Sequence, residues 1–313
     1  MILSFLNKER VMEKETYRRS SGKKATQKKD KFPKVIGITL LVLILVFTGL
    51  GVFFYQSSKT AINKANTLHL AEARPVNLKK GETFTTLILG TAHVDNEQVL
   101  MTSSLTSTNA KLKKTSLINV QPLLVFPDQT TLYQSYTQGG AAAVSKKFNE
   151  TFGTETNKVV EINFDNMGKL VEASGGIVVQ NTTAFVSKGL KFEQGSVQLK
   201  TADEVAAYLS LLNANDQKGF TDRLQDVAIA TFENLKKPSV LARHSLAILK
   251  IFPEVINTNI SFPDFMNIAT HYNKALKVSK INVHATKIPG NKTQRVTQET
   301  LDKVKNKFEN TLK

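Results

Sequence analysis

"KVVEINFDNMGKLVEASGGIVVQN", residues 158–181, reads as strand, helix, turn and strand in succession. Val159, Val160 and Ile162 form a β-branched run that suits a buried strand. Phe164, Met167, Leu170 and Val171 then recur at helical spacing and give the next segment one apolar face. Gly175-Gly176 makes the turn back into Ile177-Val178-Val179. A β-α-β passage of this kind predicts an α/β fold, a sheet with helices packed on it.

The neighbouring segments extend that pattern. Upstream, TFTTLILGT (83–91) alternates and then turns apolar, as a strand entering a core does. VLMTSSLTST (99–108) and TSLINVQPLLVF (115–126) flank a polar stretch at 109–114 and predict a β-hairpin. In LYQSYTQGGAAAVSKKFNETFG (132–153), Gly139-Gly140 is expected to open a helix and Gly153 to close it. Downstream, Thr201 with Glu204 three residues later makes a capping box for TADEVAAYLSLLN. FTDRLQDVAIATFENLKK follows, with Phe220, Leu224, Val227, Ala228, Thr231 and Leu235 on one helical face. Two more helices are expected around PSVLARHSLAILKIF and SFPDFMNIATHYNKAL, then a strand region in SKINVHATKIPG and a last helix after Thr297. No internal repeat and no long linker interrupts this run, so residues 83–313 are expected to form one domain.

The N-terminal end differs in kind. Residues 1–34 carry eleven Lys/Arg against four acids, and Val35 to Tyr55 follow with no charge at all. Twenty-one residues at about 1.5 Å rise make about 30 Å of helix, enough to cross a bilayer core. The run is too long for a signal-peptide core, and no small-residue cleavage site follows it. The positive-inside rule places the basic tail in the cytoplasm and the rest of the chain outside. The expected layout is a tail (1–34), a transmembrane helix (35–55), a stalk (56–82) that could extend that helix, and an extracytoplasmic domain (83–313).

The net charge of +16 on 313 residues points to an anionic partner. The tail lacks the interleaved aromatics or folded motif of a nucleic-acid binder, so the membrane surface is the better partner. Cysteine is absent, which excludes disulfides, thiol catalysis and cysteine-based zinc sites. The 41% hydrophobic content is ordinary for a chain with a real core. There is no G-x-S-x-G, no Walker A pattern and no G-x-G-x-x-G after a strand. Asp95 and Glu97 could pair as acid and base or bind a cation, with His93 beside them, but loop carboxylates are ordinary surface residues. Asp222-Arg223, near the start of an amphipathic helix, offers a planar donor fork that could hold a phosphate or sit in an exposed pair.

The order of segments resembles the LytR-CpsA-Psr (LCP) family of Gram-positive cell-envelope proteins. The resemblance rests on LILG, NAKLKKTSLINV, YTQGGAAAVSKKFNETFG, VVEINFDNMGKLVEASGGIVV, GSVQLKTADEVAAYLS and GFTDRLQDV in that order, behind a basic tail and one apolar span. It implies a single extracytoplasmic α/β domain, a mixed β-sheet flanked by helices, that holds a polyprenyl-pyrophosphate lipid in an apolar tunnel. It also implies transfer of the lipid's glycopolymer to peptidoglycan or another envelope acceptor. Arginines, acids and a divalent cation would grip the pyrophosphate and absorb the charge that develops as it leaves.

This sequence departs from the family pattern at those positions. The acid of the first glycine motif is replaced by Ala92, and the Arg and Asp of the next by Val99 and Met101. Gln121-Pro122-Leu123 stands where the resemblance implies Pro-Arg-Asp. Two further arginine positions hold Ser210 and Leu212, after Tyr208. In the last motif Arg223 is kept, whereas the second arginine becomes Asp226 and the glutamine Val227. No arginine lies between Arg74 and Arg223, so no shift of alignment restores the set. At about 3 kcal/mol of transition-state stabilisation per donor, the loss is severe. The remaining cations for a phosphate would be Arg223 with Lys146, Lys147 or Lys218.

The expectation is therefore a non-catalytic, membrane-anchored LCP-like protein of envelope biogenesis. Its partners would be the membrane and a polyprenyl-phosphate lipid or an anionic envelope glycopolymer. No cofactor or metal is expected on that reading. The alternative is an active glycopolymer phosphotransferase, which would need Mg2+ or Mn2+. A transcriptional role through the short tail ranks last on topology.

Overall fold

The computed structural model describes residues 55–70, 74–94, 97–210, 217–235, 237–275, 277–281, 283, 285–287 and 294–312. In chain order these form α1 (Tyr55–Ala65), β1 (Phe84–Val94), β2 (Glu97–Asn109), β3 (Lys114–Val120), α2 (Leu132–Phe152), β4 (Lys158–Asn163) and α3 (Met167–Ala173). Then come β5 (Ile177–Asn181), β6 (Phe185–Ser187), β7 (Leu190–Phe192), β8 (Gly195–Leu199), α4 (Ala202–Tyr208), α5 (Gln217–Leu235) and α6 (Pro238–Val255). The chain ends with β9 (Ile256–Thr258), α7 (Phe262–His271), β10 (Lys277–Ile281), β11 (Thr286–Lys287), β12 (Gln294–Arg295) and α8 (Gln298–Leu312).

Six strands form the central sheet in the order β10-β3-β2-β1-β4-β9. β1 pairs with β4 and β3 with β10 in parallel, while β1–β2, β2–β3 and β4–β9 are antiparallel. The sheet is thus mixed and helices cover it, as the sequence predicts. Alternation along β1 sends Phe84, Ile88 and Ala92 into one cluster and Leu87 and Leu89 into another. The first cluster takes in α3, α5, α6 and α7 through Leu170, Val227, Leu249 and Phe265. The second takes in α2 and α8 through Val144, Phe148, Val304 and Phe308. Burial on both faces explains why β2 can be buried from Ser103 to Asn109 although it is rich in hydroxyls. Two of those hydroxyls turn back on the sheet: Ser103 donates to the Val120 carbonyl at 2.7 Å and Thr106 to the Thr86 carbonyl at 3.2 Å.

Four local expectations are corrected. β4-α3-β5 is not a crossover within one sheet, because β5 leaves the central sheet and pairs antiparallel with β8. The parallel partner of β4 is β1, reached through the β2–β3 hairpin and α2. β3 stops at Val120, since Pro122 has no N–H to continue the ladder and the chain turns there. α2 begins at Leu132 under a Thr131–Gln134 capping box, and Gly139-Gly140 is a kink inside it; Gly153 closes it in the left-handed region as expected. Lastly, part of the expected stalk belongs to the domain. α1 buries Ala61, Ile62 and Ala65 in the first cluster, and Tyr55 meets the Phe262 ring edge-on at 5.0 Å.

Among the described residues no helix is long and apolar enough to cross a membrane. The tail and the apolar run up to residue 54 lie outside the described residues.

Candidate functional site

β1 and β4 run side by side to their C-terminal ends, with Thr91 opposite Asn163. Such ends are where α/β sheets place ligands. The register of β1 with β2 shifts between Gly90 and Thr91, and beyond the shift Thr91 faces Leu100, Ala92 faces Val99 and His93 faces Gln98. Gly90 is required here, because a Cβ would come within 2.5 Å of both the Phe164 ring and Thr102 Oγ1. Phe164 is fixed by the 3-10 turn Phe164–Asn166, whose cap Asn163 accepts from the Asp165 N–H at 2.9 Å.

On the α5 side of these strand ends the surface is closed and apolar. Ala92 is buried in the same cluster as Tyr208, Leu224 and Val227. Val99 is buried opposite Ala92, and Met101 packs against that cluster. The three positions where the resemblance implies charge therefore contribute to packing. Arg223 lies in this layer and is 8% exposed. Its Nε donates to the Tyr208 carbonyl and its Nη2 to the Ser210 carbonyl, both at 2.7 Å. The guanidinium also stacks over the Phe185 ring at 4.9 Å. Its planar fork thus clamps the end of α4 to α5. Tyr208 is fully buried, and burial, with Asp226 nearby, pushes its phenol up to about 12. Ser210 donates its hydroxyl to the Ala206 carbonyl at 2.9 Å. Asp226 is half-buried, while Leu212 lies outside the described residues and so does the side chain of Lys218.

The two lysines expected near Arg223 lie elsewhere. Lys146 is exposed on α2. Lys147 pairs with Asp128 and sits over the Phe126 ring at 5.2 Å, in the layer on the opposite face of the sheet. Burial opposes ionisation of Asp128, yet Lys147 and the Thr130 hydroxyl and N–H hold its carboxyl down at about 2. Arg223, Lys146 and Lys147 are therefore not brought together. Pro122 and the 64%-exposed Leu123 follow β3; Leu123, Gln121, Val125, Tyr133, Gln134 and Gln294 line a pocket of about 540 Å³ without a charged group.

The α2 face carries polar groups that the sequence reading passed over. Glu161 on β4 is 6% exposed, facing α2 with Val159 while Val160 and Ile162 face the other way. Gln98 Nε2 donates to Glu161 Oε1 at 3.4 Å and to Thr91 Oγ1 at 3.2 Å. Burial pushes the Glu161 carboxyl up, against the pull of hydrogen bonds from Tyr136 and Gln98. Burial and the Glu161 charge likewise push the Tyr136 phenol up. At the rim, His93 Nδ1 lies 2.6 Å from Asp165 Oδ2, and Asp165 also accepts the His93 backbone N–H. A lone acid inside the otherwise apolar run Val159–Ile162 was the available signal for Glu161. Glu97 is exposed, and Asp95 lies outside the described residues.

Mg2+ or Mn2+ would need several oxygen ligands converging on one point. The resemblance's acid positions hold Ala92, Met101 and Leu123, and among the described residues no group of three or more His, Asp or Glu could hold a metal. The described residues do not fit such an ion.

Fold and strand ends together define an α/β domain with a mixed central sheet between two helical layers and apolar packing on the α5 side of its strand ends. The chain belongs to the LytR_cpsA_psr family, whose profile matches residues 51–310. It is 28% identical over 310 residues to the Enterococcus faecalis "polyisoprenyl-teichoic acid–peptidoglycan teichoic acid transferase TagU", covering 94% of this chain and 99% of that protein. Its fold is similar to that of Bacillus subtilis TagV, with a TM-score of 0.53 at 18% identity over 74% of this chain and 98% of the other. It is also similar to TagT bound to LIIa-WTA, with a TM-score of 0.55 at 19% identity over 78% and 99%.

Proposed function

We propose that this protein is a membrane-anchored, non-catalytic member of its family, acting in envelope glycopolymer assembly by binding or regulation. The apolar run at 35–55 would span the bilayer, with the basic tail in the cytoplasm and the α/β domain outside. The single observation that carries the reading is the fate of the site. Ala92, Val99 and Met101 are packed, and the retained Arg223 donates to carbonyls of its own chain. Departure of a pyrophosphate needs positive charge placed at the developing negative charge, and Ala92, Val99 and Met101 supply none while the described donors of Arg223 are turned to backbone carbonyls.

The names of the relatives support the envelope setting, since they describe transfer of teichoic acid from a polyisoprenyl lipid to peptidoglycan. The same names favour a second reading, in which this chain still performs that transfer. One assay separates the two. The full chain in detergent is incubated with a polyprenyl-pyrophosphate glycan, an acceptor glycan and Mg2+ or Mn2+, beside a relative with the charged set intact. The expected outcome is release of lipid phosphate by the relative alone. Release by this chain, lost in Arg223→Lys, would overturn the non-catalytic reading. Native lipid extracted from the purified protein without turnover would support binding as the role.

A further inference from the structure

Where the apolar run ends, α1 packs along α6, and the two helices leave a groove of about 340 Å³ between them. Its floor is apolar, with Ala61, Leu249 and Pro253, and Leu246 stands 62% exposed at its edge. Lys64 and Lys250 line it from the two sides. Lys59 on α1 and Arg243, one turn before Leu246 on α6, are exposed beside it. None of these four cations makes an ion pair with a described residue. The acid on this part of α6, Glu254, is already held by Lys169 at 2.6 Å.

The place of the groove in the chain supplies its occupant. Tyr55 is the last residue of the apolar run, and Gln56, the next residue, already lines the groove. Along a helix rising about 1.5 Å per residue, Lys64 lies about 12 Å beyond Gln56, and a lysine side chain on a helix leans back toward its N-terminus, here towards the apolar run. Polar headgroup layers are about 5–8 Å deep on each side of the hydrocarbon core. α1 is also fixed to the domain through Ala61, Ile62 and Ala65, so the groove cannot swing freely from the point where the chain emerges.

We infer that the α1–α6 groove is a docking site for the phosphate headgroups of anionic phospholipids in the bilayer that holds the anchor. Lys64 and Lys250 take the phosphate, Lys59 and Arg243 face neighbouring headgroups, and Leu246 enters the interface with its apolar side. The contact holds the domain in one orientation on the outer leaflet. It rests on the anchored reading proposed above and is independent of catalysis.

The chain contains no cysteine, so single probes can be introduced cleanly. The full chain carrying Ala247→Cys, labelled with a fluorophore on the exposed side of α6, is placed in nanodiscs containing lipids with spin-labelled headgroups. Quenching is expected to be strong in discs rich in phosphatidylglycerol and weak in purely zwitterionic discs. Lys64→Glu with Lys250→Glu should reduce the docked-to-undocked ratio by about fivefold or more per lysine. The same reversal at Lys111 and Lys307, exposed on the β2–β3 turn and on α8, should leave it unchanged and controls for net charge. Equal quenching in both disc types, or equal loss from the control pair, would overturn the proposal. A label at Leu45→Cys, read with acyl-chain spin labels, tests the anchor by itself: no quenching there sinks the anchored reading, whereas quenching there without quenching at position 247 sinks only the groove.

Discussion

Two charged side chains are buried among the described residues, Arg223 and Glu161, and they lie on opposite faces of one sheet. Arg223 is in the α5 layer and spends two of its donors on the carbonyls of Tyr208 and Ser210. Glu161 is in the α2 layer, beside Tyr136 and Gln98, where burial favours its neutral form. The first is a permanent charge whose geometry has become structural; the second is a titrating group with no counter-ion beside it. The difference shows that the strand ends keep polar groups on the α2 face, while Ala92, Met101 and Arg223 are packed on the α5 face. Ala92 and His93, adjacent on β1, divide in the same way: one is core, the other meets Asp165.

The strongest test of this division puts an acid into the α5 face. Ala92→Asp places a carboxylate in an apolar cluster and should destabilise the fold by about 4 kcal/mol, read as a lowered denaturant midpoint with unchanged slope. A fold of unaltered stability would show that the face is open to water and ions, against the packed site described above. Arg223→Ala comes next, at about 3 kcal/mol, because it leaves two carbonyls without their charged donor and uncovers Phe185. Arg223→Lys should recover less than half of that loss, since an ammonium cannot reach both carbonyls as the planar fork does. Full recovery with lysine would mean that charge alone matters at this position.

Glu161 sharpens the other side of the comparison through pH. Its folded-state pKa lies above the ordinary value of 4.5, so it is the protonated form that stabilises the fold. That contribution is whole below pH 4.5 and is lost as the pH rises through the folded value. Glu161→Gln keeps the shape and the hydrogen bonds to Tyr136 and Gln98 but removes the ionisation. The melting temperature of the variant should therefore fall less than that of the parent as pH rises from about 4.5 to neutrality. Parallel curves would show that Glu161 ionises in the fold as it does in the unfolded chain.

The fold was readable because its signals are local and redundant. Thr201 with Glu204, the face of α5 from Leu224 to Leu235 and the turn at Gly175-Gly176 each act within a few residues, and all are found; the side chain of Phe220, expected on that face, lies outside the described ones. The β2–β3 hairpin was readable, but pairing beyond it was not, since a strand such as Ile177–Asn181 carries the same alternation whether it joins the central sheet or pairs with Gly195–Leu199. The kink at Gly139-Gly140 escaped for a related reason: two glycines mark a break in helical geometry without saying whether the helix starts there or continues past it. At the site, the loss of charge at Ala92 and Met101 was visible in the residues themselves. What Arg223 touches was not, because Tyr208 and Ser210 reach it through backbone carbonyls, which every residue has.

Lys147 gives the smallest effect and bears on the same division. As a candidate phosphate contact it would need its ammonium for a ligand, but it is paired with Asp128 on the α2 face. The depressed pKa of Asp128 places this pair's contribution above the ordinary 3.8, and it is lost as the pH falls through about 2. Asp128 is 54% exposed, so solvent screening leaves the contribution below about 1 kcal/mol. Asp128→Asn should thus lower stability slightly at neutral pH, with the difference shrinking as the pH falls from about 4 towards 2, measured by thermal melts across that range. Lys147→Met should produce a change of the same size, and the double variant no more than either alone, as for two partners in one interaction. Additive losses would free Lys147 from this role and return it to consideration as a ligand contact.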